Sequence, residues 1–394
     1  MLPPVPRTWQ KFWFLLFLIV VYSILIIQLD FLRAPAIRDE QHFWETALTF
    51  SDRLLPTLND LRDYEQLSTP LPFIIFGALE YLFNQGLLAG RLLNIVLSIT
   101  IVFIVGWPTA QKQGRALSCL IGLVLCPDYI FYSRLMYTDI IACFFGLLGV
   151  ISYVHNRHLL SSLAFVLAIA TRQYMLAFPA ATLTYEFAVY AIQAIRSRRF
   201  TLSKAWVWLS PLLASLTIFG WFLLFQGLAP QSAIEVRTTP DVQQTLWALV
   251  PGHAINFLGF VGMYIVLPEL MLFRSSSILQ RWRQRPKVWI IVAVLLAAVL
   301  VFPPIFVGPG TVFKLVNLLP YTVLKMSLLY GLALLTCIRF SQLNMMSLFV
   351  LFNSLIMMKA YPWDKYILPL VVVFWYLKSV GLEDKFSLSD YKSR

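Results

Sequence analysis

Long apolar runs separated by short polar stretches fill almost the whole chain. The first, Phe12 to Leu29, is long enough to cross a bilayer, which takes about 20 apolar residues. Arg7 and Lys11 precede it and no small-residue cleavage site follows, so it predicts a retained first helix that starts in the cytoplasm. Eleven further runs predict crossing helices over Leu92–Trp107, Ala116–Cys126, Ile140–Val154, Leu159–Ala170, Tyr174–Ile195, Trp206–Phe225, Ile255–Phe273, Val288–Val307, Leu318–Ile338, Met345–Met358 and Ile367–Leu377. Two segments fit a different pattern. Glu40–Leu55 reads as an amphipathic helix on the membrane surface, with Phe43, Trp44, Ala47, Leu48 and Leu55 as its apolar set. Leu71–Phe83 is short for a crossing, starts at Pro70 and Pro72 and is interrupted by Glu80, which predicts an interfacial or re-entrant helix.

That last assignment sets the topology. If Leu71–Phe83 does not cross, Lys112, Arg115, Arg157, the run Arg196, Arg198, Arg199 and Lys204, and the cluster Arg274, Arg281, Arg283, Arg285 and Lys287 all fall on the cytoplasmic side. Arg38, Asp241 and Asp364 then fall outside. The expected fold is an all-α polytopic membrane protein of about twelve transmembrane helices with both ends inside, plus interfacial helices in the first external loop. Residues 1–394 form one membrane unit, with an external loop over residues 30–90, a second over 226–251 and a cytoplasmic tail over 378–394.

Composition agrees with this class. Hydrophobic residues make up 59% of the chain and charged residues 13%, with a mean hydropathy of +0.74. The net charge of +12 is what cytoplasmic loop lysines and arginines produce, and no nucleic-acid-reading motif accompanies it. Cys119, Cys126, Cys143 and Cys337 lie inside apolar runs without a CxxC pair, so neither a zinc site nor a disulfide framework is expected.

The exception to the apolar pattern is Ile37–Gly77. It opens with Arg38-Asp39-Glu40-Gln41-His42 and closes with Tyr64-Glu65-Gln66-Leu67-Ser68-Thr69-Pro70-Leu71-Pro72. Glu45, Asp52, Asp60 and Asp63 lie between, interleaved with Phe43, Trp44 and Phe50. Carboxylates held just outside a bilayer suit general-base chemistry on a lipid-linked substrate, or simply a solvated acidic loop.

Asp39-Glu40-x-His42 after the first span resembles the Asp-Glu motif of GT-C glycosyltransferases, multi-span enzymes that use polyprenyl-phosphate-linked sugars. Five further segments, in the same order, resemble those of the dolichyl-phosphate-glucose-dependent terminal α-glucosyltransferases. They are Leu67-Ser68-Thr69-Pro70-Leu71-Pro72, Arg91-Leu92-Leu93-Asn94, Met136-Tyr137-Thr138-Asp139, Thr171-Arg172-Gln173 and Lys365-Tyr366-Ile367-Leu368-Pro369. The chain departs from that pattern at Pro72, where the family has glycine, and at Lys365, where it has arginine.

The resemblance implies an inverting transfer of a hexose, with glucose expected, from a polyprenyl- or dolichyl-phosphate donor to a hydroxyl of a lipid-linked or cell-envelope glycan. It gives Asp39 the role of base, with Glu40 orienting it or the acceptor, or serving only as a helix N-terminal acid. Asp139 becomes a second site acid contacting sugar or acceptor, or else a cap on its helix; Asp128 is a weaker candidate for the same part. Arg172 is the leading phosphate ligand because guanidinium is bidentate and stays charged. Arg91 and Lys365 follow it, with headgroup anchoring as the other reading of each. Gln173, Tyr366, Glu65, Thr69 and His42 complete the expected substrate-binding set, although a lone histidine beside aromatics also fits a surface contact. No ligand cluster calls for a metal, and no cofactor is expected. Glu186 and Lys325 lie inside predicted spans without an assigned role. Related readings keep the fold and change the substrate to that of a mannosyl- or aminoarabinose-type transferase. A lipid transporter or flippase would instead show inverted repeats, and none is visible; a non-catalytic assembly subunit is the remaining class. The expected location is a bacterial plasma membrane, or the endoplasmic reticulum membrane of a eukaryote.

Overall fold

The computed structural model describes residues 7–112, 114–197, 205–237, 241–245, 247–273, 287–384 and 386. Regular structure among them is helical. Six helical segments are long and apolar enough to cross a membrane: Thr8–Ile27, Leu87–Gly106, Gln173–Arg196, Ala205–Phe225, Pro251–Phe273 and Thr322–Arg339. A seventh arises if the pair Arg115–Val124 and Pro127–Ser133, bent by 78°, counts as one broken span. Proline at the start of the second piece explains the break, because its ring cannot continue the preceding helix. Shorter apolar helices include Leu71–Phe83, Asp139–Val154, His158–Thr171 and Met345–Met357. The chain is a helical protein with the make-up of a multi-pass membrane protein.

Most of the elements that build the site come from the first half. They are α1 (Arg7–Ile27), α2 (Glu40–Thr49), α3 (Leu58–Arg62), α4 (Leu71–Phe83), α5 (Leu87–Gly106), α6 (Arg115–Val124), α7 (Pro127–Ser133), α8 (Asp139–Val154), α9 (His158–Thr171), α10 (Ala177–Ser197) and α11 (Ala205–Phe225). Helices α1 and α5 run antiparallel. At one end Phe14 packs edge-on to Trp107 at 5.4 Å and Lys11 sits 5.4 Å over the same ring. At mid-height the Tyr22 hydroxyl meets the Ser98 hydroxyl at 2.5 Å. At the other end Arg91 reaches the carbonyls of Leu32 and Ala34. The segment between α1 and α5 therefore leaves and returns at the same end of this helix pair.

Local sequence explains how that segment folds. After α1 the backbone passes through three consecutive left-handed residues, Asp30, Phe31 and Leu32, which turn the chain back over the bundle. Helix α2 is shorter than expected and stops at Thr49. Phe50 is buried edge-on to Tyr64 at 5.8 Å, and Leu55, expected on the apolar face, is instead 82% exposed. The backbone of Phe50 lies against Gly77, where an added Cβ would come within 2.7 Å of it, so α4 receives the end of α2 only because residue 77 has no side chain. Helix α4 ends at Asn84 in the left-handed conformation, and the Gly86 N–H donates to Glu80 at 2.9 Å.

At the opposite end the charged residues are more tightly held than a loop reading suggests. Lys112 is buried, and its ammonium donates to the carbonyls of Ile104 and Val105, satisfying two orphan groups at the C-terminus of α5. The 378–394 tail does not begin as a free polar segment. Helix Leu368–Val380 runs through Lys378, which pairs with buried Glu269 at 2.8 Å and with Glu383 at 2.8 Å. Arg339 closes the same cluster on Glu269 and Asp384. The run expected to end at Val307 stops as a helix at Val301, just ahead of Pro303 and Pro304. Lys325 lies in the first turn of Thr322–Arg339, half-buried and bonded to Asn317. Arg198, Arg199, Lys204, Arg274, Arg281, Arg283, Arg285, the side chain of Asp241 and residues 387–394 lie outside the described residues.

Candidate functional site

The matched segments from Asp39, Asp139, Arg172 and Lys365 converge at the end of the bundle where α1 emerges. The base of the site is an ion pair with no access to solvent. Glu40 and Arg91 are both fully buried, 51 residues apart in sequence, with Nη2 2.6 Å and Nε 2.8 Å from the two carboxylate oxygens. All five guanidinium donors have partners: two meet Glu40, and the others meet the carbonyls of Leu32, Ala34 and Pro35. Glu40 is equally occupied, because its oxygens also accept from the N–H groups of Ile37 and Met136 at 3.0 and 2.7 Å. Two expectations are corrected here. Arg91 has no donor left for a phosphate, and Glu40 has no lone pair exposed for substrate. Together they clamp the turn over residues 32–40 onto the tops of α5 and α8, which makes them positioning residues.

That clamp presents Asp39. Arg38 is held at φ 56°, with its guanidinium 4.8 Å over the Phe131 ring. The N–H of Asp39 donates to the Tyr137 hydroxyl at 3.1 Å. The Asp39 carboxylate is 43% exposed, and its nearest charged neighbour is the Lys365 ammonium at 3.9 Å. Neighbouring Glu40 looks outwardly similar in sequence but has the opposite fate, since a helix start puts adjacent side chains on different faces.

Lys365 comes from the other end of the chain, on the short 3-10 turn Asp364–Ile367. Its side chain is buried and its ammonium sits 3.6 Å over the Trp363 ring, with the rings of Tyr137, Tyr132 and Tyr366 at 5.7, 5.8 and 5.9 Å. Burial pushes the ammonium down to about 8; Asp139, Asp39 and Asp128 oppose that shift and Arg172 adds to it. The turn itself is anchored by Asp364. Expected as an external acid, Asp364 is fully buried and accepts from the Tyr264 hydroxyl at 2.5 Å and the Val312 N–H at 2.9 Å. Gly310, at φ 128°, leaves room for this carboxylate: an added Cβ would lie 2.3 Å from it.

The second pair is Asp139 with Arg172. Asp139 is the first residue of α8, fully buried, and accepts from Arg172 Nη2 at 3.2 Å. The Tyr174 hydroxyl lies 3.5 Å from its other oxygen, and the Tyr174 ring packs edge-on to Tyr366 at 5.2 Å. Arg172 is the converse of Arg91. It stands at the C-terminus of α9, its Nε is buried without a partner among the described residues, and only its contact to Asp139 is charged. A buried guanidinium with an unfilled donor is a ready anion ligand. Asp128 and Asp364 each bury one oxygen without a hydrogen-bond partner among the described residues.

The remaining expected substrate ligands lie outside this centre. Thr69 is buried and donates to the Ile169 carbonyl at 2.8 Å, tying the start of α4 to α9. Gln173 donates to the carbonyls of Leu67 and Leu228, bracing the same loop. Glu65 is exposed, and its carbonyl accepts from Arg237. His42 is an exposed residue of α2 whose ring faces Glu45 at 3.4 Å. These are framework or surface roles. The sequence reading missed Trp363, Tyr132 and Tyr174, which wall the two cations; the signal available was their clustering beside the acidic and basic motif residues. No protein-family model matches the chain, and neither a curated protein nor a solved structure is significantly similar to it.

Proposed function

We propose that the chain is an inverting glycosyltransferase of the GT-C type, moving a hexose from a polyprenyl-phosphate donor to an acceptor hydroxyl at the membrane surface. One observation carries the reading: a half-exposed carboxylate, Asp39, stands 3.9 Å from the buried Lys365 ammonium, and the largely buried Arg172 guanidinium, paired with Asp139, acts on the same ammonium at one end of an apolar helical bundle. Asp39 takes the proton of the acceptor hydroxyl, and the hydroxyl oxygen attacks the anomeric carbon. The carbon–oxygen bond to phosphate breaks, and the polyprenyl phosphate leaves with the electron pair. Its charge develops against Lys365 and Arg172, where burial makes each interaction stronger than in water. One base suffices, because inversion needs no covalent intermediate. Asp139 holds Arg172 in place and meets the sugar or acceptor hydroxyls. In this reading the apolar runs give about twelve crossings, with α4 as a surface helix. Glucose is the sugar implied by the motif resemblance.

The test is sugar transfer from a defined polyprenyl-phosphate glucose donor by purified protein, paired with a lipid-linked sugar profile of cells with and without the gene. Turnover of the donor and an accumulating lipid-linked precursor in the deletion support the reading. Absence of both across glucosyl, mannosyl and aminoarabinosyl donors overturns it.

A further inference from the structure

A cavity of about 350 Å³ lies at the opposite end of the bundle from Asp39. Helix α8 separates the two, since Asp139 begins it and Tyr153 lies in its last turn; sixteen residues of helix span about 24 Å. The wall of the cavity is made by α8, the start of α9, the second half of α10, the first turns of α11 and Phe386. Glu186 is the carboxylate in that wall. It projects from α10, a helix apolar enough to cross a membrane, where an ionisable side chain is costly unless it serves a site. One oxygen accepts from the Tyr153 hydroxyl; the other has no partner among the described residues.

Aromatic rings surround the carboxylate. Tyr153 stacks at a tilt on Phe386 at 6.1 Å and meets His158 edge-on at 6.2 Å. Tyr190 and Trp208 lie 6.1 Å apart across α10 and α11, and the Trp208 indole N–H is buried without an acceptor among the described residues. An anion would be repelled by Glu186, and a purely apolar ligand would leave the second carboxylate oxygen and the indole N–H unanswered. A compact organic cation satisfies the carboxylate by charge and the ring faces by cation–π attraction, and any oxygen it carries can accept from Trp208.

We propose that this cavity binds an organic ammonium group, either as a free amine or quaternary amine or as the headgroup of an ethanolamine or choline lipid. The site is independent of the transferase reading, because it shares no residue with the centre around Asp39. The test uses the full-length protein in nanodiscs of phosphatidylglycerol alone, with radiolabelled choline and ethanolamine as soluble probes. A second arm measures phosphatidylethanolamine co-purified with the protein by mass spectrometry. Glu186→Gln retains an oxygen for the Tyr153 hydroxyl and removes the charge; Trp208→Leu removes the ring and its N–H.

Saturable binding of a soluble probe, weakened about tenfold or more by Glu186→Gln and about fivefold by Trp208→Leu, supports a free ammonium ligand. Co-purified phosphatidylethanolamine that is present in wild type and lost in both variants supports the headgroup. Unchanged thermal unfolding midpoints keep either result from reflecting misfolding. The proposal is overturned if neither form is retained by the wild type, or if both variants retain it as the wild type does.

Discussion

Glu40→Gln should destabilise the protein, although it changes one atom on a residue beside the proposed base. The carboxylate accepts four hydrogen bonds, one guanidinium N–H and one backbone N–H on each oxygen. A glutamine amide can serve only one of these sides. Whichever way it turns, its NH₂ faces one N–H of Arg91 and one backbone N–H, from Ile37 or Met136. Arg91 also loses its counterion at a site with no solvent exposure. Breaking a buried pair from one side costs about 3–5 kcal/mol, because a buried charge is left uncompensated. Against a total stability of about 5–15 kcal/mol for a typical domain, that loss is easily measured. The assay is thermal and denaturant unfolding of the detergent-purified protein, with limited proteolysis of residues 30–40 as a local readout. Arg91→Lys should not rescue the wild-type stability, since three donors cannot replace five. The double variant Glu40→Leu, Arg91→Leu should be more stable than either single leucine variant, because no lone charge remains. An unchanged unfolding midpoint for Glu40→Gln, with the 30–40 turn still protected, would refute the clamp.

Asp39→Asn should do the reverse: unfolding within about 1 kcal/mol of wild type, since its one charged contact is long and half-exposed, and transfer slower by about 10²–10⁴; near-full turnover would move the base to Asp139. For Lys365 the protonated form is the one that holds phosphate, so kcat/KM for the donor should be lost as pH rises through about 8, falling about tenfold per unit above it. Stability moves the other way, because above about 8 the unfolded chain holds this proton more tightly than the native one, so the group's contribution rises towards the ordinary value of 10.5; a pH–rate profile unchanged in Lys365→Met would sink the assignment. Arg172→Ala should weaken donor use by about 2–5 kcal/mol in the folded fraction, with Arg172→Lys recovering only part of it; wild-type donor kinetics in Arg172→Ala membranes would exclude it as the phosphate ligand. In a cysteine-free background, Glu45→Cys should react with an impermeant thiol reagent from outside and Arg157→Cys only after permeabilisation, and the opposite pattern would invert the proposed orientation.

Much of the helical framework is legible in the sequence because a bilayer imposes one length on every element that crosses it. Apolar runs mark Leu87–Gly106, Ala205–Phe225 and Met345–Met357 to within a few residues. The prolines at 70, 72 and 127 mark starts, because proline is best tolerated in the first helical turn, although Pro211 lies inside α11. The gathering of Asp39, Asp139, Arg172 and Lys365 was foreshadowed by their shared position at the ends of apolar runs, which a common membrane face brings to one level.

What each of those charges does was decided only by tertiary contacts. Arg91 and Arg172 look alike in sequence, each at a helix end beside a motif. The turn over residues 32–35 supplies Arg91 with three carbonyls and Glu40 takes its other two donors, whereas Arg172 meets one carboxylate and keeps an Nε without a partner among the described residues. Glu40 and Asp39 are adjacent, yet one faces the helix tops and the other faces open space. The cluster of Glu269, Arg339 and Lys378 and the cavity around Glu186 join residues from separate helices. Hydrophobic run length is a property of one segment against the lipid and can be read residue by residue. The worth of a buried charge depends on which distant groups share its low-dielectric surroundings, and only the folded chain brings those groups together.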